Sequence, residues 1–192
     1  MASLRNKRHR MGSSPRARPR VELVFIVHGR DDKARRALGE FLRAVKLQPL
    51  EWSELAGSGA PFVGEILERG FRRAQAVVVL LTGDDKARLR KRFLKKSDGK
   101  HERDLTAQPR PNVLFEAGMA LGTHPTRTIL VQIGKIRPFT DIAGRHFIAM
   151  DNSPNRRNEL AMLLEGAGCR VDRGGTDWLN AGNFEYKSAK DD

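Results

Sequence analysis

The 192 residues have room for one domain with tails, or for two small domains. Lys and Arg number 36 against 23 Asp and Glu, a formal net charge of +13, and a hydrophobic fraction of 39% is too low for every segment to join a core. A lone cysteine, Cys169, excludes an internal disulfide and a cysteine-built metal site, the five histidines show no metal-ligand spacing, and no apolar run approaches membrane-spanning length.

The charge is concentrated. Residues 1–20 hold seven basic and no acidic residues, and residues 86–110 hold ten basic and three acidic ones, which leaves the remainder close to neutral. Met1–Arg20 reads as a disordered basic arm with almost nothing to bury and no apolar stretch of a secretory signal. A cytoplasmic protein is the expectation.

Val21–Val27 is β-branched and nearly all apolar, the pattern of a buried parallel strand. The turn His28-Gly29-Arg30-Asp31 leads into a helix with Ala34, Leu38, Phe41, Leu42 and Val45 on one face. Leu47–Glu51 is a short second strand. Trp52–Ala60, with Gly57-Ser58-Gly59, reads as a mobile loop, and Pro61 suits the first turn of a helix that buries Val63, Ile66, Leu67 and Gly70 or Phe71. Ala76–Leu81 is the third and most central strand, closed by Thr82-Gly83-Asp84-Asp85.

Lys86–Arg110 is a basic insertion. Its first half, Lys86–Lys96, has Leu89 and Phe93 at helical spacing and predicts a basic helix; its second half carries turn residues and ends in Pro109 and Pro111. A helix around Glu116 follows, then strands at Arg127–Ile133 and Phe147–Met150. Ser153-Pro154 caps a last helix lined by Leu160, Leu163, Leu164 and Ala167. Arg170–Asp192 is polar and Gly-rich and predicts a loose tail. The alternation of strand and helix predicts an α/β fold, a flavodoxin-like three-layer sandwich with five parallel strands and helices on both faces. Such sheets bind ligands outside the carboxyl ends of their strands. The residues of chemical interest gather there.

Glu116 stands in the apolar run Asn112-Val113-Leu114-Phe115-Glu116-Ala117-Gly118-Met119-Ala120-Leu121, at the border of the helix stripe. A carboxyl in apolar surroundings is a common way to build a catalytic group. The residues alone lean slightly to the plainer alternative, a surface glutamate paired with Arg110. Asn112 lies one turn earlier, either beside Glu116 to hold a ribose diol or as a helix N-cap. The His28–Asp31 turn, with Arg30, offers a phosphate site at a helix start, against ordinary capping by Asp31 or Asp32. Trp52 suits stacking on a base or packing under a lid. There is no Walker loop, no dinucleotide Gly-rich fingerprint and no nucleophile–base pair. The stretch Lys86–Lys96 has one aromatic and no nucleic-acid reading motif, so a solvated insertion is preferred over a phosphate-backbone binder.

Three segments, Phe25–Gly29, Val79–Asp85 and Arg110–Gly118, resemble in order and spacing the bacterial TIR-like domains described as predicted nucleotide-binding proteins. The similarity spans roughly Val21 to Cys169, and Asn-Val-Leu-Phe-Glu-Ala-Gly is its most specific part. The resemblance implies a TIR fold and an NAD-cleaving effector of anti-phage defence. Glu116 matches the catalytic glutamate, and His28, Gly29, Arg30 and Asp31 match the first-strand loop lining the substrate pocket. Trp52 opens the gating loop, and Thr82, Asp84, Asn112 and Phe115 are assigned to substrate binding. NAD⁺ is the substrate, with no separate cofactor and no metal. Partners implied are further copies of the chain in an oligomer or filament, and a sensor protein or signalling nucleotide acting in trans. Nucleic acid is not favoured and no membrane is expected. Two departures stand out: Pro111 replaces a helix former, which suggests a later helix start, and the insertion is unusually basic. Three other readings stay open: a TIR-like adaptor or nucleotide-binding module without turnover, a deoxyribosyltransferase-like enzyme, and a nucleic-acid binder working through the basic arm.

Overall fold

The computed structural model describes residues 22–56, 62–138 and 147–186. Five strands form one parallel sheet: β1 (Leu23–Val27), β2 (Gln48–Leu50), β3 (Ala76–Leu81), β6 (Thr128–Ile133) and β7 (Phe147–Met150), in the spatial order β2-β1-β3-β6-β7. This is the flavodoxin-like 2-1-3-4-5 order, whose reversal point lies between β1 and β3. All six residues of β3 are buried, as a strand covered on both faces requires.

Side chains alternate across the sheet and build two cores. On one face Val24, Ile26, Val78, Leu80 and Val131 meet α1 (Asp32–Ala44) and α6 (Pro154–Gly166). On the other Phe25, Val27, Val77, Val79 and Leu81 meet α2 (Trp52–Ala56), α3 (Val63–Arg73) and α5 (Pro111–Thr123). Local signals set the helix ends. Asp31 accepts from Ala34 N at 2.9 Å to cap α1, and Ser153 caps α6 with Pro154 in its first turn. Arg127 donates to the carbonyls of Ala74 and Phe71 at the end of α3, where a cation also suits the helix dipole.

Five sequence expectations change. Trp52–Ala56 is helical rather than loop, while residues 57–61 lie outside the described residues. Val63 is 55% exposed, because the first turn of α3 projects past the sheet; Ile66, Leu67, Gly70 and Phe71 are the residues that turn inward. α5 begins at Pro111 itself, since proline lacks only an N–H that a first-turn residue would leave unused.

The insertion contains no long basic helix. Asp85–Ala87 (β4) pairs antiparallel with Thr106–Gln108 (β5), and one helical turn at Lys91–Phe93 and the short α4 (Lys100–Arg103) lie between them. Pairing with a strand twenty residues away outweighs the Leu89–Phe93 spacing. Within the excursion Arg103 donates to the carbonyls of Lys95 and Lys96, which folds it back on itself.

Residues 170–186 are not loose. Trp178 and Phe184 are buried in the α1–α6 core, and the buried Arg157 holds the segment through the carbonyls of Ala181, Gly182 and Asn152. The basic arm 1–20 and residues 187–192 lie outside the described residues. No helix among those described is long and apolar enough to cross a membrane.

Candidate active site

The carboxyl ends of β1 and β3 are bound to each other at the reversal point. Asp84 does this with both oxygens: Oδ2 accepts from Arg30 N at 2.7 Å and Oδ1 accepts from the Thr82 hydroxyl at 2.6 Å. Gly29 lets Asp84 come this close, because a Cβ there would stand 1.7 Å from Asp84 Oδ2 and the carboxylate would have to move. His28 Nδ1–H donates to the Gly29 carbonyl at 2.9 Å, so the ring lies back on its own loop. These residues form a rigid strap. The fold brings His28, Gly29, Arg30, Thr82 and Asp84 together, and their polar groups serve one another.

Arg30 N–H is taken by Asp84, Asp32 N–H by the Arg30 carbonyl and Ala34 N–H by Asp31, so three of the backbone donors at this turn are already used. Asp31 is an ordinary helix cap, and Asp32 is bound to Arg35, which also donates to both oxygens of Glu51. The Arg30 side chain remains exposed.

On α5 the buried stripe is Val113, Ala117 and Ala120. Glu116 lies on one flank of that stripe, on the same side as Asn112, and Leu114 lies on the other. Leu114 lines an apolar cavity of about 200 Å³ with Ile136 and Pro138, which follow β6. The Glu116 flank is therefore turned toward β1 and α3, the side of the reversal point. Trp52 packs half-buried against the α2–α3–α5 core.

Burial alone pushes the Glu116 carboxyl up to about 7, with no charged neighbour contributing. Glu116 makes no hydrogen bond or ion pair among the described residues. The surface-pair alternative fails because the Arg110 guanidinium instead faces Asp85, at 4.0 Å. Asn112 is not the N-cap, a place held by Arg110; it sits exposed in the first turn, its amide unused among the described residues. Phe115 is 65% exposed and points away from the sheet, about 100° around the helix from Glu116. A second cavity, of about 740 Å³, lies between α1 and the C-terminal segment. Neither cavity is lined by Glu116.

Other reactive side chains are disarmed. Burial pushes the Cys169 thiol up to about 12, which leaves it unreactive. His124 packs edge-on against Phe71 at the end of α5, and burial pulls its pKa down.

The profile of the CAP12/Pycsar effector protein TIR domain matches residues 23–152, from β1 through β7. The chain belongs to this family. Protein tirC of Dictyostelium discoideum is 31% identical over 99 residues, covering 52% of this chain and 46% of that protein. The uncharacterized protein YuaY of Escherichia coli strain K12 is 26% identical over 157 residues, covering 81% of this chain and 49% of YuaY. The chain thus spans about half the length of the curated relatives it matches. Within the TIR domain the family match ends at residue 152, so α6 and the buried segment around Trp178 lie beyond it. Sequence reasoning missed that segment. Its signal was two large aromatics, Trp178 and Phe184, in an otherwise polar stretch.

Proposed function

We propose that this TIR domain is an NAD⁺ glycohydrolase, a cytoplasmic effector of bacterial defence that becomes active on self-assembly or with a partner in trans. The carrying observation is Glu116: a half-buried carboxyl raised to about 7 by burial, unpartnered among the described residues, on the flank of α5 that faces the reversal point.

The chemistry asks little more. The bond from ribose C1′ to the nicotinamide nitrogen breaks, and its electron pair leaves with the ring, which departs neutral and needs no acid. C1′ becomes oxocarbenium-like, and an ionised carboxylate beside it stabilises the charge. Water adds to C1′ and loses its proton by way of Glu116 to solvent, giving ADP-ribose, nicotinamide and H⁺. A carboxyl near 7 is about half ionised at neutral pH and can both stabilise the cation and accept that proton. Asn112, one turn away, is placed to hold the ribose diol. No cofactor takes part, because NAD⁺ is the substrate.

Assembly completes the site in this reading. Phe62 and Phe115 are 83% and 65% exposed, at the head of α3 and on the outer face of α5. A second copy laid across them covers apolar surface and encloses the Glu116 flank.

The alternative is a nucleotide-binding or adaptor module without turnover. Nicotinamide release from NAD⁺, with a crowding agent to promote assembly, separates the two. The glycohydrolase predicts release by the wild-type chain and a loss of at least about 100-fold in Glu116→Gln, with an unchanged fold. Stoichiometric nucleotide binding that Glu116-flank variants weaken, with equal background release in both proteins, would shift the reading to the adaptor.

A further inference from the structure

The larger cavity lies on the opposite side of the sheet from Glu116. Its floor is Ala34, Ala37, Ile133 and Phe184, all of the α1–α6 core. Its volume, about 740 Å³, falls within the range of small-molecule sites. Three cations line it: Arg30, Lys33 and Arg36. None of their side chains is hydrogen-bonded or in a salt bridge among the described residues. The acids of the same region divide differently. Asp31 is used as the α1 cap and Asp32 is bound to Arg35, which leaves Glu40 and Glu185 as free carboxylates on the wall. Asp31 caps the start of α1 through Ala34 N–H, and the exposed side chains of Arg30, Lys33 and Arg36 supply the cationic anion receptors.

An aromatic platform completes the lining. Tyr186 is 40% exposed, and its ring lies against Gly134, where a Cβ would stand 2.5 Å from the ring. Gly134 also has φ +77°, so two constraints keep glycine there and leave the ring its seat. A Cβ added at Gly83 would meet the Tyr186 hydroxyl at 3.8 Å, which places the ring over the carboxyl ends of β3 and β6.

We propose that this cavity is a second ligand site, separate from the Glu116 flank, for a free nucleotide. Unpaired Arg and Lys take the phosphates, Tyr186 stacks on the base, and Glu40 or Glu185 accepts from the ribose hydroxyls. The mixed lining selects this class. Bare phosphate gives Glu40 and Glu185 no hydroxyl to accept from, and a nucleic-acid strand needs a continuous cationic track, which Asp31, Asp32, Glu40 and Glu185 interrupt here. The C-terminal segment supplies Glu185 and Tyr186, so the site depends on residues beyond the family match.

The test is calorimetric titration of ADP into the full chain, with inorganic phosphate in parallel. Four variants are compared: Lys33→Ala/Arg36→Ala, Tyr186→Leu, Asn112→Ala and Glu116→Gln. Lys33 and Arg36 are exposed on α1, so the double variant keeps its fold, which circular dichroism checks. The site predicts binding of one ADP per chain, weakened about tenfold or more in the double variant and in Tyr186→Leu, and unchanged in Asn112→Ala and Glu116→Gln. Three results would each overturn it: no ADP binding at millimolar concentration, binding that the Glu116-flank variants abolish while the α1 and Tyr186 variants leave it intact, or phosphate binding as tightly as ADP.

Discussion

Two ionisable side chains lie within the fold in opposite circumstances. Arg157 is buried on the α6 side with no acidic partner in contact, yet the carbonyls of Ala181, Gly182 and Asn152 and the ring of Phe184 surround its guanidinium. Glu116 is half-buried on the α5 side with no partner among the described residues. The first is a structural clasp, in which desolvation of the charge is offset by hydrogen bonds. The second leaves desolvation uncompensated and holds a carboxyl at a raised pKa. Full satisfaction suits a group that holds the fold; the uncompensated carboxyl is the group that the proposed activity uses.

Removing Arg157 breaks the comparison at its structural end. Arg157→Leu leaves the buried Gly182 carbonyl and the part-buried carbonyls of Ala181 and Asn152 without their donor and should lower stability by roughly 3 kcal/mol, with new proteolysis within residues 170–186. A shift in urea midpoint worth under about 1 kcal/mol would show that the clasp is incidental.

The strap between β1 and β3 gives a smaller effect. Gly29→Ala drives a Cβ into Asp84 and should cost about 2 kcal/mol, by loss of the two Asp84 hydrogen bonds. In an Asp84→Ala background the same substitution should cost far less, and a double-mutant cycle with additive effects would remove the strap from the account.

Smallest is the stability of Glu116→Gln. The unfolded glutamate ionises near 4.5 and the folded one near 7, so between those values the folded state binds more protons and stability falls as pH rises. The variant should therefore be more stable than wild type at pH 8, by on the order of 1 kcal/mol since water reaches part of the carboxyl, and equal to it near pH 4. Thermal melts at the two pH values read this directly. A variant less stable at pH 8 would mean that Glu116 has a favourable partner.

Much of this arrangement is legible in the chain because its signals are local. Four of the five strands announce themselves as short apolar runs, and Asp31 and Ser153-Pro154 mark helix starts within a few residues of the groups they cap. What stayed hidden depends on distant partners. The β4–β5 pairing joins residues twenty apart, and the helical spacing of Leu89 and Phe93 masks it. The Asp84 strap ends on a backbone N–H 54 residues away, a group that no side-chain pattern reveals. The burial of Trp178 and Phe184 rests on α1 and on Arg157. For Glu116 the residue type and the apolar run were visible. Its freedom from Arg110 was not, because Asp85 claims that guanidinium only once β4 has folded beside it.

The most direct measurement is the pH dependence of kcat/KM for nicotinamide release from NAD⁺ under assembling conditions, since it reports the ionisation of the free enzyme. A catalytic Glu116 carboxylate with a pKa of about 7 predicts a rise of about tenfold from pH 6 to pH 8, and loss of that rise along with the activity in Glu116→Gln. A rate that is flat across this range, or one that Glu116→Gln retains, would contradict the assignment of the buried carboxyl as the catalytic group.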